Sequence, residues 1–177
     1  MSIVYPNRMV RRVYELTPEL FWQLGIRGLI LDVDNTLSRH GEKEPAPGVS
    51  LWIEEMKQNG FSLLILSNNT AERVAPFAGK LGLPFFSMCM KPLPFCYWKA
   101  CRQYGVPHRQ AVLIGDQIFT DVLGGRLCGI PTVLLTPIEE ETSLSFRIRR
   151  RLEKPLRRRY AQQGDGMNRL KGKDETE

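Results

Sequence analysis

The chain is 177 residues long, 42% hydrophobic and 25% charged, with a net charge of +6. That suffices for one α/β domain with a sizeable core, and the composition is neither fibrous nor disordered. No apolar run approaches the roughly 20 residues that span a membrane, and MSIVYPNRMVRR has no long apolar stretch after its charges, so no spanning helix or secretory signal is expected.

The charge is unevenly placed. Residues 1–146 carry 14 basic and 14 acidic side chains, residues 147–160 eight basic and one acidic, and residues 161–177 three basic and four acidic. The basic character therefore belongs to one short segment. The four cysteines (Cys89, Cys96, Cys101, Cys128) form no CxxC pair, and His40 and His108 are far apart. A zinc site is not expected; buried, reduced thiols in a cytoplasmic protein are.

In chain order, Thr17 and Pro18 open a helix that turns Leu20, Phe21 and Leu24 inward and stops at Gly25. Residues 1–27 read as a leading segment packed on a sheet. A strand over 28–32 follows, then a polar loop, 38–48, too short for a large inserted domain. The pattern then predicts a helix over 49–58 with Leu51, Trp52 and Met56 facing the core. A strand over 61–66 and a helix over 70–80 come next, the helix shortened or bent by Pro76. A strand over 84–88, a helix over 95–104, a strand over 111–114, a helix over 120–127 and a strand over 132–135 complete the pattern. Gly124 and Gly125 would allow close backbone approach. About five strands alternating with helices imply an α/β, three-layer Rossmann-like fold with a parallel sheet and right-handed crossovers.

Chemistry-bearing residues stand at the carboxyl ends of these strands, where open α/β sheets bind ligands. Asp32 and Asp34 close the first strand and share a face if the extended geometry persists. Two like charges held close call for a cation, and oxygen ligands favour a hard divalent ion, Mg2+ foremost. Ser67-Asn68 closes the second strand, Lys91 follows the third, and Gly115-Asp116 closes the fourth. Singly, each has a plain explanation: a DxD in a solvated turn, a surface lysine before a proline, an aspartate (Asp121) capping a helix. In this order, each at a strand end, they point to phosphoryl transfer, in which charge must be neutralised and groups positioned.

The motif Asp32-Val33-Asp34-Asn35-Thr36, with Ser67, Lys91 and Gly115-Asp116-Gln117-Ile118-Phe119-Thr120-Asp121, resembles the four motifs of the haloacid dehalogenase (HAD) superfamily of phosphatases. The resemblance spans roughly residues 25–138. TPELFWQLGIRGLILDVDNTL and GDQIFTDVLGGRLCGIPTVLLTPI resemble the subfamily IIIA group, YqeG-like and related to phosphatidylglycerophosphate phosphatases. The resemblance implies a HAD core without a large cap and an aspartyl-phosphate mechanism. In it Asp32 is the nucleophile and Asp34 the general acid and base. Lys91 supplies positive charge, and Asn35, Ser67, Asn68 and Lys91 contact substrate. Asp32, the Asp34 backbone carbonyl and Asp116 hold Mg2+, the Asp34 side chain stays free, and Thr36 and Asp121 act from behind.

Residues 143–160, SLSFRIRRRLEKPLRRRY, place Leu144, Ile148, Leu152, Leu156 and Tyr160 at every fourth position, an apolar stripe on a basic helix that Pro155 should break or bend near Arg151. Such a helix packs on its own domain, lies on an anionic membrane or contacts nucleic acid. Residues 1–140 are thus expected to form the phosphatase domain, 141–160 the basic helix and 161–177 a disordered tail. The expected function is Mg2+-dependent hydrolysis of a phosphate monoester, with phosphatidylglycerophosphate at a membrane surface as first choice. A soluble sugar or nucleotide phosphate is the alternative substrate. Nucleic-acid binding or a protein-interaction role through the basic segment is the alternative of another class.

Overall fold

The apolar runs pair into one parallel sheet. The structure, a computed structural model, describes residues 4–105, 108–139 and 144–163. Its strands are β1 (Arg8–Val10), β2 (Gly28–Leu31), β3 (Ser62–Leu66), β4 (Phe85–Phe86), β5 (Ala111–Gly115) and β6 (Thr132–Leu135), in the order β1-β6-β5-β2-β3-β4. Every neighbouring pair is parallel. Five of these were expected. The sixth, β1, aligns Met9 with Leu134 at the sheet edge. Three residues beginning with an arginine carry no periodic apolar signal, so pairing alone defines this strand.

The helices are α1 (Pro18–Gln23), α2 (Val49–Gln58), α3 (Ala71–Leu81), α4 (Phe95–Gln103), α5 (Leu123–Leu127) and α6 (Leu144–Gln163). Side chains alternate across the central strands. Leu29 and Leu31 join Phe21, Trp52, Ile53, Met56 and Phe77 on one face. Ile30 joins Leu64, Leu66, Tyr97 and Ala100 on the other. The result is three layers with the sheet in the middle. A third apolar cluster, Ile118, Val122 and Leu134 with Met9 and Leu156, seats α6.

Four expectations fail locally. Leu51 is exposed, because Val49, Trp52, Ile53 and Met56 already occupy the i, i+3, i+4, i+7 face of α2. Pro76 does not shorten α3, which runs on to Leu81. The buried Val74, Phe77, Ala78 and Leu81 hold the helix across the one backbone bond that proline forfeits. Nor does Pro155 break α6. There the residues that dock are Glu153, Leu156, Arg157 and Tyr160, whereas Ile148 and Leu152 of the apolar stripe face outward. Last, the cysteines are not all reduced. Cys89 and Cys96 form a disulfide with Cα atoms 5.4 Å apart, while Cys101 and Cys128 are free and buried. The seven-residue spacing becomes a contact only because the chain folds back after β4. Of the expected tail, 161–177, residues 161–163 instead continue α6, where the helix carries on past Tyr160, and 164–177 lie outside the described residues.

The chain leaves β2 for β3 on one side and later crosses to β5 on the other. The crevice at this switch of direction, beyond the carboxyl ends of β2, β3 and β5, is where such sheets bind ligands.

The contact between α5 and β6 depends on glycine. A Cβ at Gly125 would overlap Thr132 Cγ2 and come within 3.2 Å of the Ile130 carbonyl oxygen. Gly125→Ala should destabilise the fold by about 1–3 kcal/mol, the usual scale of overpacking. Urea unfolding should show a lower midpoint with an unchanged slope.

Candidate active site

The Asp32 N–H still donates to the Ile114 carbonyl at 2.9 Å, so strand geometry carries one residue past β2. The chain then turns tightly. The Val33 carbonyl accepts from the N–H groups of Thr36, Leu37 and Ser38, and Asn35 sits at φ 58°, a left-handed position that asparagine tolerates. This turn leaves the Asp32 carboxylate at the strand end, where Thr36 Oγ1 donates to its Oδ2 at 3.4 Å.

Lys91 arrives from the loop after β4. Its side chain is only 2% exposed, and Nζ donates to Asp32 Oδ1 at 2.6 Å and Asp121 Oδ1 at 2.7 Å. Asn68 fixes the lysine from behind. Its Oδ1 accepts from the Lys91 N–H at 2.6 Å, and its amide donates to the Lys91 carbonyl at 3.2 Å. Asp121 lies on a turn of π-helix (Ile118–Val122), a local widening common at functional sites. It can fold back because Gly115 lacks a side chain, since a Cβ there would overlap the Asp121 carboxylate. Asp121 Oδ2 also accepts from the Gln117 N–H at 3.1 Å.

Asp116 is fully buried at the end of β5. Arg150 of α6 pairs with its Oδ2 and, with Arg157, donates to its backbone carbonyl. Buried Glu153 holds the two arginines and accepts from the Ile118 N–H at 2.8 Å. The basic segment thus reaches the centre of the site, which its run of identical charges concealed.

Asp34 points elsewhere. Its carboxylate accepts from Asn69 Nδ2, from Arg73 Nη2 at 2.9 Å and from the Gly41 N–H at 3.0 Å. The expected free side chain is therefore held by protein donors. Arg73 and Asn69 went unnoticed in the sequence, where the only signal was their place just after Ser67-Asn68. Ser67 is buried, and its hydroxyl accepts from the Asn69 N–H at 3.1 Å. Asn35 turns its Oδ1 toward the Glu139 N–H at 3.2 Å. Asn35 and Asn68, expected to contact substrate, are thus both bonded to backbone.

Burial dominates the electrostatics. It pushes the Asp32 carboxyl up to about 7, against the pull of Lys91. It drives Asp116 well above the usual carboxylate range, Arg150 opposing. For Lys91, burial would lower the value, but Asp121 and Asp32 outweigh it and keep the ammonium charged. Among the described residues, Asp32, Asp116 and Asp121 offer carboxylate oxygens that all lie within 4.8 Å of one another. Asp116 Oδ1 is buried with no hydrogen-bond partner. A cluster of hard oxygen donors with one orphaned carboxylate oxygen fits a divalent cation such as Mg2+.

Residues 29–129 match the family model described as hydrolase, haloacid dehalogenase-like hydrolase. The chain belongs to the haloacid dehalogenase-like hydrolases. It is 34% identical over 151 residues to the Bacillus subtilis protein named "Probable phosphatase YqeG", covering 85% of this chain and 88% of that one. It is 24% identical over 173 residues to the Arabidopsis thaliana chloroplastic/mitochondrial phosphatidylglycerophosphate phosphatase 1, covering 92% of this chain and half of the plant protein. Among solved structures, NagD from E. coli K-12 superposes with a TM-score of 0.54 at 14% identity, over 65% of this chain and 90% of that one, a likeness of fold. This member of the hydrolases is an enzyme acting on phosphate esters.

Two outcomes follow for this hydrolase. Without metal, the raised Asp32 pKa means that the folded state binds more protons than the unfolded state between about pH 4 and 7. That contribution is complete below the unfolded value and is lost as pH rises through about 7. A divalent cation held by Asp32 and Asp116 would compete with those protons, so the melting-temperature gain on adding MgCl2 should be larger at pH 8 than at pH 6, as differential scanning fluorimetry can read. Separately, Arg150→Gln removes the guanidinium that competes for Asp116. Isothermal titration should show tighter Mg2+ binding, while melting of the metal-free protein should fall by several degrees.

Proposed function

We propose that the chain is a Mg2+-dependent phosphomonoesterase working through an aspartyl-phosphate on Asp32, with phosphatidylglycerophosphate as substrate. One observation carries the catalytic reading: the Lys91 ammonium bridges Asp32 and Asp121 beside an orphaned oxygen of Asp116. In this reading Asp32 Oδ2 is the attacking atom, oriented by the Thr36 hydroxyl. Lys91 holds the carboxylate in line and offers positive charge to the phosphoryl oxygens. Ser67 and the N–H groups beside it complete the cradle.

Asp34 is the proton carrier. It donates to the departing alkoxide and takes a proton from the water that opens the acyl phosphate. Arg73 and Asn69 hold it in that attitude. Asn68 positions Lys91 rather than binding substrate. Asp32, Asp116 and Asp121 are the side chains that would hold Mg2+, which when bound supplies neutralising charge between nucleophile and phosphate. Arg150 and Arg157 keep Asp116 oriented from α6.

The substrate choice draws on the likeness to the plant phosphatase over most of this chain. It also fits a site without a large cap, since α2 follows the Asp34 turn after only a short loop. Peripheral contact with an anionic membrane belongs to the same reading. Arg150 and Arg157 of the basic segment, however, are engaged by Asp116, and only its outer face remains for such contact.

Asp32→Asn should lower phosphate release from an aryl phosphate by at least about a thousandfold while circular dichroism stays unchanged. EDTA should silence the wild type and Mg2+ restore it. Retained turnover in the variant would remove Asp32 as nucleophile. Across a panel of phosphatidylglycerophosphate, sugar phosphates and nucleotides, kcat/KM should be highest for the lipid; equal values would remove the substrate choice.

A further inference from the structure

Five large apolar side chains, Met88, Met90, Leu93, Phe95 and Trp98, stand between 54% and 69% exposed within eleven residues of chain. No other stretch of the described residues shows such density. Isolated exposed apolar groups need no explanation, but a contiguous set beside an active site does. This set brackets Lys91 in the chain. In the loop after β4 the chain alternates: Met88 and Met90 face out, while Cys89 and Lys91 between and after them are buried. Both methionines are held at left-handed φ angles of 49° and 50°, an uncommon conformation for long side chains. The Cys89–Cys96 link ties this loop to the first turn of α4, so both halves of the patch lie together. On α4 itself, Phe95, Trp98, Lys99 and Arg102 recur at helical spacing, and all four are exposed.

Charge identifies what this face meets. From Arg73 to Gly115 the sequence holds six lysines and arginines and no acidic residue. Of these, Lys99 and Arg102 stand exposed on α4 beside Phe95 and Trp98, while Lys91 and Arg73 are engaged by carboxylates; an apolar face with a tryptophan and two exposed basic side chains matches the boundary of an anionic bilayer. A protein partner would meet the same apolar groups without requiring that loop 88–95 and α4 carry basic side chains and no carboxylate.

We propose that the loop 88–95 and the outer face of α4 form a membrane-docking surface that sets the active-site mouth on an anionic lipid bilayer. The docking element is therefore this rim and not the basic helix α6, two of whose arginines are spent on Asp116. Docking by the rim brings Lys91 to the level of lipid headgroups. This deepens the lipid-substrate reading and rests on it for its purpose, although the contact can be measured without turnover.

The test compares the full chain with Leu93→Ser/Phe95→Ser/Trp98→Ser by co-sedimentation with vesicles of phosphatidylglycerol and phosphatidylcholine, circular dichroism establishing that both fold. The wild type should partition onto the vesicles at least about tenfold better than the triple variant. Arg151→Gln/Arg158→Gln/Arg159→Gln on α6 should change partition by less than threefold. Brominated lipid should quench wild-type tryptophan fluorescence, with most of that quenching lost in Trp98→Phe and retained in Trp22→Phe. The proposal is overturned if the wild type stays in the supernatant. It is equally overturned if the triple variant partitions as well as the wild type, if the α6 variant alone loses binding, or if the triple substitution only converts a dimer to a monomer in light scattering. Phosphate release from phosphatidylglycerophosphate in detergent micelles is assayed in parallel. No release there, with vesicle binding intact, sinks the substrate reading and leaves the docking surface standing.

Discussion

The ammonium of Lys91, shared between Asp32 and Asp121, is the contact on which the arrangement of the site depends. Three charges so far from water each lose several kcal/mol of solvation. The attraction in each contact is about 4 kcal/mol or more at an effective dielectric of about 20, so the set is viable only with both partners in place. The surrounding structure is built to keep them there. Gly115 leaves space for Asp121, Asn68 grips the Lys91 backbone on both sides, and Thr36 restrains Asp32. The contact ties the end of β2 to the loop after β4 and to the turn after β5, which are separated by dozens of residues in sequence.

The sheet makes this convergence possible. Strands β3 and β5 flank β2 in register, Leu31 standing opposite Ile65 on one side and Ile114 on the other. Each strand stops at nearly the same level, so each delivers its terminal residues to one crevice. The apolar alternation that fixes which way Leu29, Ile30 and Leu31 face also fixes where Asp32 emerges. Packing and chemistry are consequences of one register.

That is why the central strands and their terminal residues were legible in the sequence. Apolar runs ended by Asp32, Ser67 and Asp116 carry both signals at once. What was not legible depended on tertiary contact. β1 has no apolar run of its own and exists through pairing with β6. Arg73 and Asn69 acquire meaning only when α3 begins beside the Asp34 turn. In α6 the apolar stripe suggested a greasy inner face, yet the helix docks by Glu153, Arg150 and Arg157 with Leu156 and Tyr160 beside them. Hydrophobic periodicity cannot foresee a helix seated by buried ion pairs. Nor could a search for CxxC foresee the Cys89–Cys96 link, which a reversal of the chain creates.

Charge balance explains why those ion pairs belong to the site rather than merely to the helix. Five carboxylates, Asp32, Asp34, Asp116, Asp121 and Glu153, face four cations, Lys91, Arg73, Arg150 and Arg157. With all of them ionised the cluster carries one negative charge, and a single proton on either raised carboxyl, Asp32 or Asp116, makes it neutral. A phosphate dianion arriving alone would leave three uncompensated negative charges in a water-poor crevice. A dianion arriving with one divalent cation leaves the balance as it was. Without Arg150 and Arg157 the cluster would hold two further negative charges, and a second cation would be needed before any phosphate could approach. In the proposed reading the arginines of α6 set the charge at which one metal and one phosphate fit together, and the basic helix folded against Asp116 becomes part of the site.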